Sequence, residues 1–240
     1  MKLTTDALII RENNTVGESD RFITALTRDH GVIRASVRGA RQLKNRNGSA
    51  TQLLCYSRLT LYKGREKYIV DDAEPLQVFF DVRGQLEKLA LAQYFCELAG
   101  VLAPVEEQAE EELRLLLNAL HYLAEGSRPP ALIKAVTELR LLSRAGYMPS
   151  LLSCAVCGET ECTKFSPAHG VAYCTAHGDG FTVSAGVMAA LRHIVHTPFE
   201  KCFAFSLPDT DLQQLSEMTE RFLLTQLGRG FHTLDFYHTL

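Results

Sequence analysis

The spacing of apolar side chains changes its period once along this chain, near residue 85. Before that point the pattern is short and strand-like. Residues 7–11 form an apolar run, and residues 21–27, 32–38 and 55–63 alternate. Ile33, Ala35 and Val37 face one way, while Arg34, Ser36 and Arg38 face the other. Leu59 and Leu61 oppose Tyr56, Arg58, Thr60 and Tyr62 in the same manner. Residues 67–70 make a fifth strand, and residues 39–49 form a long polar, basic loop. Five short strands with one long loop predict a small closed barrel.

After residue 85 the period becomes helical. Leu86, Leu89, Ala90, Gln93, Tyr94 and Leu98 mark a first helix, and residues 106–124 a second. Pro129-Pro130 opens a third, whose stripe runs from Leu132 to Ala145, with Gly146 at its C-terminal end. Residues 150–181 are irregular and rich in Cys, Gly and His; residues 184–196 and 212–227 are helical again. Within 240 residues, 46% hydrophobic and 22% charged, a disordered chain is excluded. No run approaches the roughly 18–20 apolar residues of a membrane span. Asp6 falls where a signal peptide needs an apolar core, and the seven scattered cysteines suit a reducing compartment, so a cytoplasmic protein is expected.

The net charge of −3 hides an asymmetry. Residues 1–80 carry +4 and the remainder −7. No carboxylate lies between Asp29 and Glu66, an interval holding Arg34, Arg38, Arg41, Lys44, Arg46, Arg58, Lys63 and Arg65. Alternation places Tyr56 and Tyr62 on the outward face of their strand, beside Arg58. Cations track phosphates and flat rings stack on bases, so this pairing predicts a nucleic-acid surface without sequence preference. The competing reading packs the two tyrosines beneath the following helix.

Cys154 and Cys157, then Cys174 and His177, spell C-x2-C-x16-C-x2-H, with a glycine after each pair. Four S/N ligands at this spacing suit one structural Zn2+, with Cys162 and His169 as competitors for the fourth position. Cys55, Cys96 and Cys202 are expected to be core thiols. No phosphate-binding loop, dinucleotide fingerprint, nucleophile elbow or H-E-x-x-H motif occurs, and the Glu106–Glu112 acids suit a solvated face, so no catalysis is expected.

Several stretches then act together. They are Gly17-Glu18-Ser19-Asp20-Arg21, Thr27-Arg28-Asp29-His30-Gly31-Val32-Ile33, Arg38-Gly39-Ala40-Arg41, Leu61-Tyr62-Lys63-Gly64 and Ala73-Glu74. Tyr94-Phe95-Cys96-Glu97-Leu98, the Cys154–Gly158 knuckle, Phe165-Ser166-Pro167 and Gly170 complete the series. In order and spacing the chain resembles the RecO family of bacterial recombination mediators over nearly its whole length. The resemblance implies an α+β protein with an OB-fold nucleic-acid-binding barrel over residues 1–80. It implies a helical domain over 81–148 and 182–240, with a zinc module over 149–181 inserted in it. It further implies nucleoid-associated work in the RecFOR pathway: binding single- and double-stranded DNA, annealing complementary strands, and loading RecA recombinase. The implied partners are RecR and the C-terminal tail of single-stranded-DNA-binding protein. Family relatives commonly close the second knuckle with Cys where this chain has His177. The alternative is a protein-interaction adaptor whose helical domain binds an acidic partner tail, with Lys134, Arg140 or Arg144 at the rim of its groove.

Overall fold

The computed structural model describes residues 2–13, 20–40, 45–64 and 67–240. The chain is α+β, a five-stranded barrel followed by helices, and its contacts divide it into two compact units. The first holds Met1–Glu125 and Phe231–Leu240, the second Gly126–Gly230. The division therefore falls within the helical stretch, where the period change near residue 85 suggests a boundary at 80.

In the first unit, strands β1 (Lys2–Asn13), β2 (Arg21–Thr27), β3 (Gly31–Val37), β4 (Cys55–Lys63) and β5 (Tyr68–Val78) close into a barrel of order β1-β2-β3-β5-β4. Among the described residues of the barrel strands, β3 and β5 pair in parallel and the other neighbours antiparallel. Ile9, Ile23, Ala25, Ile33, Leu59 and Val70 are among the side chains filling the interior. The strands differ in what lies outside. Part of β1 (Ala7–Ile10) and most of β2 (Ile23–Thr27) are buried on both faces: Leu8 and Leu26, outside the set that fills the barrel, are wholly buried. β3 and β4 alternate buried and exposed positions, so one face of each meets solvent.

The fifth strand runs eight residues past the expected 67–70. Asp71, Asp72, Glu74 and Pro75 are poor strand formers, which conceals it in the sequence. The strand persists because it pairs with β4, and because Asn47 clamps it: its Nδ2 donates to the Asp71 carbonyl (3.1 Å) and its Oδ1 accepts from the Ala73 N–H (3.1 Å). Asn47 lies on the short helix α1 (Arg46–Ala50), inside what the sequence presents as loop. Asn45 caps it, accepting from the Asn47 N–H at 2.9 Å.

Helix α2 (Phe80–Arg83) leads into α3 (Leu86–Leu102), which packs on β1 and β2, as does α4 (Glu110–Glu125). The second helix begins four residues later than its acidic run suggests, since Glu106 has a left-handed φ of 58°. The segment before it is stitched to the barrel. Val32 N–H donates to the Pro104 carbonyl (2.8 Å) and Ala109 N–H to the Arg28 carbonyl (2.9 Å). Gly31 makes this approach possible, with φ +56° and room for no Cβ: one would lie 2.1 Å from the Pro104 oxygen.

The second unit opens with α5 (Pro130–Leu142), which ends in a wide turn over Ser143–Tyr147 with Gly146 at φ +97°. The stretch expected to be irregular contains four short strands, β6 (Ser150–Cys154), β7 (Lys164–Ser166), β8 (Val171–Tyr173) and β9 (Phe181–Thr182), in sheet order β6-β8-β7-β9. Strands of two to five residues are too brief for alternation to announce them. Helices α6 (Ala185–His196) and α7 (Asp209–Leu227) follow, and α8 (His232–Tyr237) returns to the first unit beside α3. There Glu97 accepts from both the N–H and the hydroxyl of Thr233.

Between α5 and α7 lies a buried ionic cluster. Lys134, 2% exposed at its side chain, sits 2.8 Å from Glu138 and 2.7 Å from Glu220, and Thr219 donates to Glu138 at 2.7 Å. Lys134 therefore does not rim a groove for an acidic tail. Arg140 donates to the carbonyls of Val195 and Thr197 at the end of α6. Arg144 is exposed. Among the described residues no helix is long and apolar enough to cross a membrane.

Candidate nucleic-acid interface and metal centre

The solvent face of the barrel carries the basic residues. Arg34 and Arg38 are exposed on the outward side of β3 and just past its end, and neither makes an ion pair with another described residue. Asn45 donates to the Arg38 carbonyl at 2.8 Å, which brings the start of α1, and with it the exposed Arg46, to the end of β3. Asp20 also reaches this corner, accepting from the Gly39 N–H at 2.9 Å.

The β4 side differs from the carboxylate-free interval read along the sequence. Arg58 is paired with Asp6 at 2.9 Å, its neighbour across the β1–β4 ladder, and Lys63 with Glu106 at 2.7 Å. These acids lie 52 and 43 residues away in the chain. Both pairs are exposed and so are loosely held. Tyr56 is half-buried, and removal from water raises its hydroxyl pKa, with the Asp6 charge adding to that. Tyr62 is open to solvent at 44% exposure. Arg41, Lys44 and Arg65 lie outside the described residues.

Three further side chains join the face. Phe22 on β2 lies opposite Ser36, and Lys67 holds its ammonium 4.4 Å above the Phe22 ring centre. Lys2 stands 5.6 Å over the Tyr62 ring and pairs with Asp71 at 2.9 Å. Sequence reasoning singled out neither Phe22 nor Lys67, although the alternation of residues 21–27 is the signal that could have placed Phe22 on the face opposite Ile23. What the sequence lacked was the parallel β3–β5 pairing that brings Lys67 alongside.

In the second unit the four spaced ligands converge. One ligand atom from each of Cys154, Cys157, Cys174 and His177 lies within 4.8 Å of all the others. Cys157 Sγ and Cys174 Sγ are 3.8 Å apart, and His177 Nδ1 is 3.2 Å from Cys174 Sγ and 3.9 Å from Cys154 Sγ. Thiolates on a tetrahedral ion with bonds of ~2.3 Å stand about 3.8 Å apart, so the donor set and its spacing fit one metal ion. Partial desolvation opposes ionisation of Cys154, but N–H groups of Cys157, Cys174 and Val156 outweigh it and bring the thiol down to about 6. The competitors fall away: Cys162 Sγ points to the Glu159 carbonyl at 3.5 Å, and His169 is exposed.

The knuckles are held from outside. Lys164 Nζ donates to the carbonyls of Thr175, His177 and Gly178 at 3.1–3.3 Å. Arg192 donates to the Leu151 and Thr160 carbonyls on either side of the first knuckle, at 2.7 and 2.9 Å. The remaining thiols are buried, and burial raises all three, Cys96 to about 12.

Two family models span these features. Recombination protein O N terminal matches residues 1–79, the barrel, and Recombination protein O C terminal matches residues 83–235. The chain belongs to the recombination protein O family. It is 34% identical to the DNA repair protein RecO of Acetivibrio thermocellus, across 99% of this chain and 97% of that protein. It is 41% identical to that of Desulforudis audaxviator, across 97% and 94%, and 30% identical to that of Symbiobacterium thermophilum, across 98% and 96%. Full-length coverage ties the barrel face and the Cys3His cluster to one family of DNA repair proteins.

Proposed function

We propose that this protein is a DNA repair and homologous recombination mediator that binds single- and double-stranded DNA without sequence specificity through its barrel. The observation that carries this reading is the pair of exposed arginines, Arg34 and Arg38, which make no ion pair among the described residues, beside outward rings on the barrel face of a recombination protein O family member. In this reading the barrel is an OB-fold, whose second and third strands commonly receive nucleic acid. Residues 1–80 form the binding domain, 81–148 with 182–240 the helical domain, and 149–181 the metal module.

The chemistry follows from charge. Guanidinium groups replace counterions along phosphates, which holds strands regardless of sequence and lowers the repulsion between two complementary ones, favouring annealing. With RecR, the protein would help load RecA on DNA coated by single-stranded-DNA-binding protein, whose acidic tail is a second partner. Its work is binding, not bond-making.

Titrating oligonucleotide across salt tests the reading. Replacing Arg34 and Arg38 by alanine should weaken binding of unrelated sequences equally. It should also make the slope of log affinity against log salt shallower by about 1.4 for single strands. Unchanged affinity and slope would remove the barrel as the site.

The metal in this reading is a structural Zn2+, held by Cys154, Cys157, Cys174 and His177. Four protein ligands leave it no open position. Elemental analysis should give about one zinc per chain. Arg192→Ala should lower zinc affinity about tenfold in competition with a chromogenic chelator, because the first knuckle loses its outer anchor. An Arg192→Ala protein with parental affinity would show that the knuckle holds its own shape.

A further inference from the structure

The outward side chains of four strands form one row around the barrel. Phe22 on β2 opposes Ser36 on β3, Ser36 opposes Ile69 on β5, and Ile69 opposes Tyr62 on β4. Three strand spacings separate the two rings, about 14 Å along the surface. Arg34 and Arg38 flank Ser36 on the same face, two residues to either side. The row therefore ends in an aromatic ring at each side and is crossed at its middle by a line of cations.

Each ring lies under a lysine. Lys67 covers Phe22 at 4.4 Å, and Lys2 covers Tyr62 at 5.6 Å. Lys2 is also held by Asp71, whereas Lys67 makes no ion pair with another described residue. Phe22 is thus the ring whose cover moves most readily.

We propose that Phe22 is the residue that makes this face prefer single-stranded DNA, and that Lys67 exchanges roles when a base arrives. Resting on the reading that the barrel binds DNA, the inference adds which chemical form of DNA it selects. An exposed ammonium over a ring gains less than a base stacked on it, so an unpaired base displaces Lys67 from the ring. The lysine has a flexible four-carbon stem and keeps its charge, which carries the ammonium to the adjoining phosphate. Duplex bases are already stacked on one another and offer no free face. A duplex therefore meets only the cations, with Lys67 left on its ring.

The experiment compares a thymidine oligonucleotide with a hairpin duplex of equal phosphate count, each titrated across salt with the full-length protein. Phe22→Ala should lower single-strand affinity about tenfold or more and change duplex affinity less than about twofold, with the salt slope preserved. Phe22→Leu, which keeps apolar bulk without a π-face, should behave like the alanine variant, and Phe22→Tyr should restore binding. Lys67→Ala should make the single-strand slope shallower by about 0.7 and leave the duplex slope unchanged. Equal losses for both DNAs, or full single-strand binding by Phe22→Leu, overturn the inference. The Arg34/Arg38 double variant separates the two levels. If it loses binding while Phe22→Leu does not, only the ring assignment fails; if it too binds fully, the barrel reading itself fails.

Discussion

Gly31→Val should be a severely damaging change in the barrel unit, costing about 2–5 kcal/mol. Two effects add. A Cβ at φ +56° is strained by about 1–2 kcal/mol, and it would sit 2.1 Å from the Pro104 oxygen and 2.9 Å from the Glu107 oxygen. Backbone oxygens cannot turn aside, so the segment before α4 must lift from the β2–β3 turn, adding an overpacking cost of about 1–3 kcal/mol. That lift breaks the Val32–Pro104 and Arg28–Ala109 hydrogen bonds. The comparison is Gly126→Ala. Its φ is +66°, but nothing lies within 4 Å of the added carbon, so only the strain of about 1 kcal/mol is expected. Urea unfolding of the two variants measures the difference. Equal losses would mean that the close approach at Pro104 relaxes without cost.

Lys134→Ala should destabilise the second unit by about 3–5 kcal/mol, since it withdraws the cation from between two carboxylates, one wholly buried. The double variant Lys134→Met/Glu138→Leu should recover most of that loss, because apolar groups of similar size need no compensation there. The pair also has a pH signature. Burial pulls the Lys134 pKa down, but Glu138 and Glu220 more than reverse this, so the folded value lies above the ordinary one. A raised folded value makes the contribution complete below the unfolded value of about 10.4 and removes it as pH climbs through the folded value. The parent should therefore lose stability in the alkaline range above about pH 10.5, and the double variant should lose less there. Thermal melts from pH 8 to 11 check this. Parallel melting curves for the two proteins would show that the ammonium contributes nothing at this position.

Patterns that repeat within a few residues carried over into the fold. Ile33, Ala35 and Val37 fill the barrel because alternation leaves them no other face, and the same geometry turns Arg34 and Arg38 outward. The two knuckles converge as their spacing implies. Features made by distant partners did not carry over. Arg58 looked bare in an interval free of acids, yet Asp6 reaches it across the β1–β4 ladder. Lys134 reads in the sequence as a cation at the rim of a groove for an acidic tail, yet α7 brings Glu220 over it. The end of β5 was hidden by weak strand formers that Asn47 holds in place.

The sequence by itself determined the family, the two kinds of architecture and the paired Cys and His spacings, because each depends on residue type and short spacing. Only the tertiary structure decided which cations are paired with distant acids and which ring lies under which lysine. Charge neutralisation and ring contacts act over a few ångströms in space, and strand pairing sets those distances between residues far apart in the chain.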